Sequence, residues 1–174
     1  MKQLLITIAA VVLVGCGEET PNIWIAARDG NLEIVKKHII DGVDINAKDK
    51  EGDAPLHKAV SRGKEEIVKY LINNGASLNI KDESGRTPLH RAAFAMNNNM
   101  CELLILNRVD INPIDDDNLT PLDLTPSPKK IEKSQSADLV LGVPPISMGG
   151  ESNVRTYLRK HGGKTGEELK AEGK

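Results

Sequence analysis

The sequence predicts an all-α solenoid of about four stacked helix-turn-helix repeats with β-turn fingers, the fourth repeat interrupted by an insertion. Three observations predict it. Ala54-Pro55-Leu56-His57, Thr87-Pro88-Leu89-His90 and Thr120-Pro121-Leu122-Asp123 begin at a strict spacing of 33 residues. Other columns keep the register: Ala26, Ala59 and Ala92; Asn46, Asn79 and Asn112; Asp49, Asp82 and Asp115; Gly30 and Gly63; Gly42 and Gly75. Between these columns, Ile67, Val68, Leu71 and Ile72 form an apolar stripe at helical spacing.

Each unit reads as helix, turn, helix and finger. Thr87 suits a helix N-cap and Pro88 the first helical position, where its missing N–H is no loss, so the tetrapeptide opens a short helix. His90 falls on its first turn, placed to bond the loop and the Thr hydroxyl. A second helix follows, Glu65 to Asn73 in the second unit, and Gly75 supplies a left-handed cap. Gly52 and Gly85 allow the tight finger turn, and Asn118 takes that place in the last unit because Asn tolerates positive φ. One unit buries too little alone; stacked neighbours share a core.

This pattern resembles the ankyrin repeat over about residues 21–125, resuming at 153–163, within a repeat domain of 21–163. The first repeat, about 21–53, is degenerate: Asn22 replaces Pro55, Trp24 replaces His57, and His38 stands in the column of Leu71, Leu104 and Leu158, as suits an N-terminal cap. The second, 54–86, is regular. The third, 87–119, places Met96 in the column of Gly30 and Gly63, and Arg108 in that of Gly42 and Gly75. Either this repeat is the least stable or its turns relax through Asn97 and Asn107; relaxation is expected.

The fourth repeat, 120–163, is split. Pro126 and Pro128 stop its first helix, while Val154 to Leu158 matches Ile67 to Leu71 with 21 residues in excess of two periods. The insertion, about 127–152, combines Lys129, Lys130 and Lys133 with an apolar stretch from Leu139 to Ile146. It reads as a loop covering the end of the stack or as a partner-binding segment. Beyond it, 164–174 is a charged tail whose Thr165-Gly166-Glu167-Glu168 has the form of a capping box, expected to make a frayed helical turn.

Residues 1–15 read as an export signal. Lys2 precedes an apolar run from Leu4 to Val14, far short of the ~20 residues that span a bilayer. Leu13-Val14-Gly15-Cys16 resembles a bacterial lipobox; a plain signal peptide, or a buried N-terminal strand with a chance cysteine, is the other reading. The resemblance implies lipidation at Cys16, cleavage before it, a 16–20 linker, and a protein held in the membrane at the cell envelope. Gly17, with no Asp at that position, resembles lipoproteins sorted to an outer membrane, which implies that location, facing the periplasm, in a cell that has one.

Several function classes are disfavoured. An aromatic content of 2% and a net charge of -2 argue against nucleic-acid binding, which needs stacking platforms and a cationic face. No catalytic residue, metal, cofactor or small-molecule substrate is expected. His57 and His90 occupy a repeat column, which spaces them too widely for one zinc ion. Cys101 sits in the column of Val35 and Val68, as a small buried hydrophobe. Gly163-Lys164-Thr165 lacks the glycine a phosphate loop needs at 158, where Leu158 stands. Asp115, Asp116 and Asp117 lack the Gly and Glu of a calcium loop.

The family resemblance implies a protein-binding scaffold whose partner, of unknown identity, meets the fingers and first helices on a concave face. The finger positions are then Lys50, Glu51, Asp53, Glu83, Ser84, Arg86, Asp116, Asp117 and Leu119, and the first-helix positions Ser61, Arg62, Phe94 and Ala95. Phe94, the chain's single Phe, stands in the column of Arg28 and Ser61, where the fold demands nothing apolar. It serves an interface or tucks against Met96 or the insertion. An immunity-type protein that occludes an enzyme's site is the alternative function.

Overall fold

The computed structural model describes residues 22–126 and 153–173. Residues 1–15, read above as an export signal, Cys16, and residues 127–152, read as an insertion, lie outside the described residues. Within these, eight α-helices and no strand form a single stack: α1 Ile23–Asp29, α2 Leu32–Ile40, α3 Pro55–Ser61, α4 Glu65–Asn73, α5 Pro88–Phe94, α6 Asn98–Leu106, α7 Asn153–Lys160 and α8 Gly166–Ala171. Helices pair within repeats, α1 with α2, α3 with α4 and α5 with α6. The first helices pack in the row α1, α3, α5, while α2 meets α4 and α6 meets α7.

The columns explain the packing. Ala26, Ala59 and Ala92 are buried where first helices approach one another, which only a small side chain permits, and Leu56, Leu89 and Leu122 fill the space beneath them. Val35, Val68 and Cys101 are 0% exposed in the second-helix layer, as are Leu71, Leu104 and Leu158. His38, in the column of those leucines, is only half-buried, and it belongs to the terminal repeat.

Fingers are held by one device used three times. The carboxylates of Asp49, Asp82 and Asp115 each accept two backbone amides, those of Glu51 and Asp53, of Ser84 and Arg86, and of Asp117 and Leu119, at 2.8 to 3.0 Å. The turn residue has positive φ in all three: Gly52 at 71°, Gly85 at 72° and Asn118 at 60°. Glycine is required at the first two for a second reason. A Cβ on Gly52 would lie 2.6 Å from the Glu83 amide nitrogen, and one on Gly85 would strike the Asp116 carboxylate, because successive fingers stack there.

The asparagine column joins each repeat to the next. Asn46 accepts the Ser77 amide and Asn79 accepts the Asp110 amide, both 31 residues on, whereas Asn112 accepts the Lys164 amide 52 residues on. The difference of 21 residues is the excess read from the sequence, so α7 takes the place of a fourth second helix, against α6. The fourth first helix is a single turn over 121–124, closed by the Asp123 amide on the Thr120 carbonyl.

Two expectations need correction. Met96 and Arg108 keep φ of 54° and 63°, so the turns of the third repeat do not relax through Asn97 and Asn107; the closing hydrogen bonds of α5, from Met96 and Asn97 to the Ala93 and Ala92 carbonyls, and of α6, from Arg108 and Val109 to the Ile105 and Leu104 carbonyls, keep the left-handed geometry with either side chain. The tail is also no frayed turn. Thr165 and Glu168 form a complete capping box at the start of α8, Arg159 grips the Glu168 carboxylate at 2.6 and 3.0 Å, and Gly166 is buried against the Asn118 carbonyl.

Candidate functional site: the groove between fingers and first helices

Buried histidines tie the first helices to the fingers. In α3, His57 Nδ1 accepts the Ala54 amide at 3.1 Å, so the proton is on Nε2, which donates to the Arg86 carbonyl in the next finger at 3.1 Å. In α5, His90 Nδ1 accepts the Thr87 amide at 3.0 Å, with the Thr87 hydroxyl also donating to it, and Nε2 donates to the Leu119 carbonyl. Thr87 therefore serves its helix through the histidine, not by the direct hydroxyl cap that its position predicts. Burial pushes both imidazoles below their ordinary pKa.

The same column ends in Asp123, with the opposite polarity. Its carboxylate accepts the Thr120 amide at 3.0 Å as the histidines accept theirs, but it also accepts the Gly166 amide at 2.7 Å where a histidine would donate. In the first repeat Trp24 donates instead to the Ala47 carbonyl at 2.9 Å.

One helix face carries a charge ladder. Lys58 lies 2.9, 2.6 and 2.8 Å from Asp49, Glu51 and Asp53, and Arg91 lies 2.9 Å from Asp53 and 2.6 Å from Asp82. Burial alone would lower the Lys58 pKa, yet its three carboxylates raise it well above the usual range. Asp49, Glu51 and Asp53 bring oxygens within 4.8 Å of one another, but the ammonium already stands where a cation would sit. Burial also works to raise the Asp82 pKa; the backbone amide of Arg86 and the Arg91 guanidinium outweigh it and hold the carboxyl low.

This ladder orients the groove. Ser61 and Phe94 lie one helical turn after Lys58 and Arg91, hence on the helix face turned toward the fingers. Arg28, in their column on α1, is paired with Asp29 at 2.7 Å. Phe94 is 69% exposed and Met96 is 38% exposed, so the ring is not buried against Met96; the insertion, its other expected neighbour, lies outside the described residues.

Lys50, Glu51, Ser61, Arg62, Glu83, Ser84, Phe94, Ala95, Asp116 and Asp117 are all exposed. Arg86 and Leu119 are half-buried: Arg86 reaches Asp115 at 3.3 Å, and the Leu119 carbonyl is bonded to His90. Asp53 is the exception to the expected surface. At 4% exposure, held by Lys58 and Arg91, it belongs to the finger support and presents nothing to a partner. Sequence reasoning missed Lys58 and Arg91; cations in one column opposite three repeated aspartates are the signal that could have found them. Cys101 is buried and its thiol is pushed up to about 12 by burial, as a packing residue requires.

A family model described as ankyrin repeats, in three copies, matches residues 23–122. An ankyrin repeat-containing protein of Schizosaccharomyces pombe is 54% identical over 44 residues, 25% of this chain and 21% of its own. Acyl-CoA-binding domain-containing protein 4 of Oryza sativa subsp. japonica is 43% identical over 49 residues, 28% of this chain and 15% of its own. The chain thus spans about a fifth or less of the length of these curated relatives.

Proposed function

This chain belongs to the ankyrin-repeat family, a family of protein-interaction modules, and on that premise we propose that it binds a partner protein through the groove between its fingers and first helices, while anchored by lipid at the cell envelope. The observation that carries the binding face is Phe94. A phenyl ring left 69% exposed on the finger-facing side of α5 forgoes burial worth about 1.5–3 kcal/mol, and contact with a partner recovers it. Arg62 on the neighbouring helix and the exposed finger residues surround that anchor with polar contacts.

The anchor is supported by the sequence Leu13-Val14-Gly15-Cys16 behind an apolar run. Two or three acyl chains, at about 0.8 kcal/mol per CH2, would hold the protein in a membrane, and the short 16–20 linker would keep the groove close to it.

Pull-down from membranes, wild type against the triple variant Phe94→Ala, Arg86→Ala, Arg62→Ala, tests the face. Loss of co-purified proteins is expected, and an unchanged set removes it. Labelled palmitate is expected in the wild-type chain and not in Cys16→Ser; label in that variant overturns the anchor.

A further inference from the structure

The groove is chemically polarised along the stack. Toward the first two repeats the first-helix ends carry Arg62, the nearby Lys64 and Arg28, the last paired with Asp29. At the third repeat they carry Phe94 and Met96, and the exposed finger residues around α5 include three acids, Glu83 before it and Asp116 and Asp117 after it, beside the neutral Ser84 and Asn118 and the more distant Lys81, whose ammonium donates to the Ile114 carbonyl. Both fingers are fixed relative to this helix, one through Arg91 and Asp82, the other through His90 and the Leu119 carbonyl, and the Asp116 amide bonds the Ser84 carbonyl between them.

These acids differ from the others of the groove. Asp49, Asp53, Asp82 and Asp115 are consumed by turn amides and by Lys58, Arg91 and Arg86. Among the described residues Glu83 and Asp116 form no ion pair, and Asp117 has only Arg86 at 4.0 Å. Met96, two residues after Phe94, keeps positive φ where other repeats have glycine and is itself exposed. Exposed apolar side chains at the end of α5, with carboxylates free of close ion pairs on the fingers to either side of that helix, fit a ligand with cations around an apolar centre.

We propose that this end of the groove takes a cationic polypeptide segment with an apolar residue set among its Lys or Arg side chains. The apolar residue rests on Phe94 and Met96; the cations meet Glu83, Asp116 and Asp117. This rests on the groove being the binding face and adds the class of partner. Acidic segments and anionic lipid surfaces are repelled here by the same three carboxylates.

The test pans a random dodecapeptide library on the full purified chain at near-physiological salt, then titrates the enriched peptides by fluorescence anisotropy. Peptides rich in Lys or Arg with an aromatic or large aliphatic residue are expected. Phe94→Ala and the charge-reversed Glu83→Lys, Asp116→Lys, Asp117→Lys variant should each weaken them about tenfold or more, the second with a flattened salt dependence. All four are exposed positions, and unchanged denaturation midpoints establish that the variants fold. If Phe94→Ala weakens binding while charge reversal does not, the groove stands and the cationic class falls. Acidic or neutral winners also overturn it, as does a self-association of the wild type that Phe94→Ala abolishes, which makes a second copy the occupant. If neither variant changes binding, the groove itself is lost.

Discussion

His57 and His90 each bridge a helix start and the following finger, accepting on one nitrogen and donating on the other. Protonating Nδ1 would set two donors against each other, and burial already disfavours the cation, so both are neutral when folded. The unfolded chain binds those protons near the ordinary value of 6.5 and the folded chain only below it, so stability is complete above that pH and is lost as pH falls beneath it. Urea midpoints at pH 7.5 and 5.5 should show the decrease, and a His57→Ala, His90→Ala variant should flatten it. His57→Ala itself leaves the Ala54 amide and Arg86 carbonyl unpaired, at about 1–3 kcal/mol for each buried group. Met96→Gly should do the reverse: relief of a left-handed backbone is worth about 1 kcal/mol, read as a raised melting temperature. If Met96 serves the groove, the same variant should bind less well.

The eighth helix shows what local pattern can and cannot disclose. Its capping box was legible because Thr165 and Glu168 stand three residues apart, a spacing sufficient in itself. Its packing was not, since it depends on Gly166 meeting the Asn118 carbonyl and donating to Asp123, contacts that no short window contains. Thr165→Ala should cost about 1 kcal/mol, and Gly166→Ala about 1–3 kcal/mol, by placing a Cβ against that carbonyl. Chemical denaturation of both variants checks this order. The Arg159 guanidinium, foremost, holds the Glu168 carboxyl down to about 2, so what this helix contributes persists above the ordinary 4.5 and is lost as pH falls toward 2. The helix is exposed enough that solvent screening keeps that contribution small.

Across the whole array, the 33-residue register, the helix pairs and the 21-residue excess of the fourth repeat were all readable, because stacking repeats the same environment and so the same residue. The groove was readable only in outline. Finger and first-helix columns identify exposed positions, but Asp53 falls in such a column and is buried, since its fate is decided by Lys58 and Arg91 on neighbouring helices. The unneutralised state of Glu83 and Asp116 likewise follows only from which cations are already engaged elsewhere. Because each layer rests on its neighbours, Leu89→Ala in a middle repeat should lower stability by about 2–5 kcal/mol and still unfold the array in one transition. Two separated transitions in circular dichroism would contradict that coupling.

The exchange of histidine for Asp123 has an effect on assembly. An array of like layers offers its last face to the first face of another molecule, a head-to-tail contact that extends into filaments when it does not close. A carboxylate there has no hydrogen for the carbonyl of an incoming layer, and the Gly166 amide already occupies it. An incoming layer would therefore meet α8, already seated on that carboxylate, and not an open end of the histidine column.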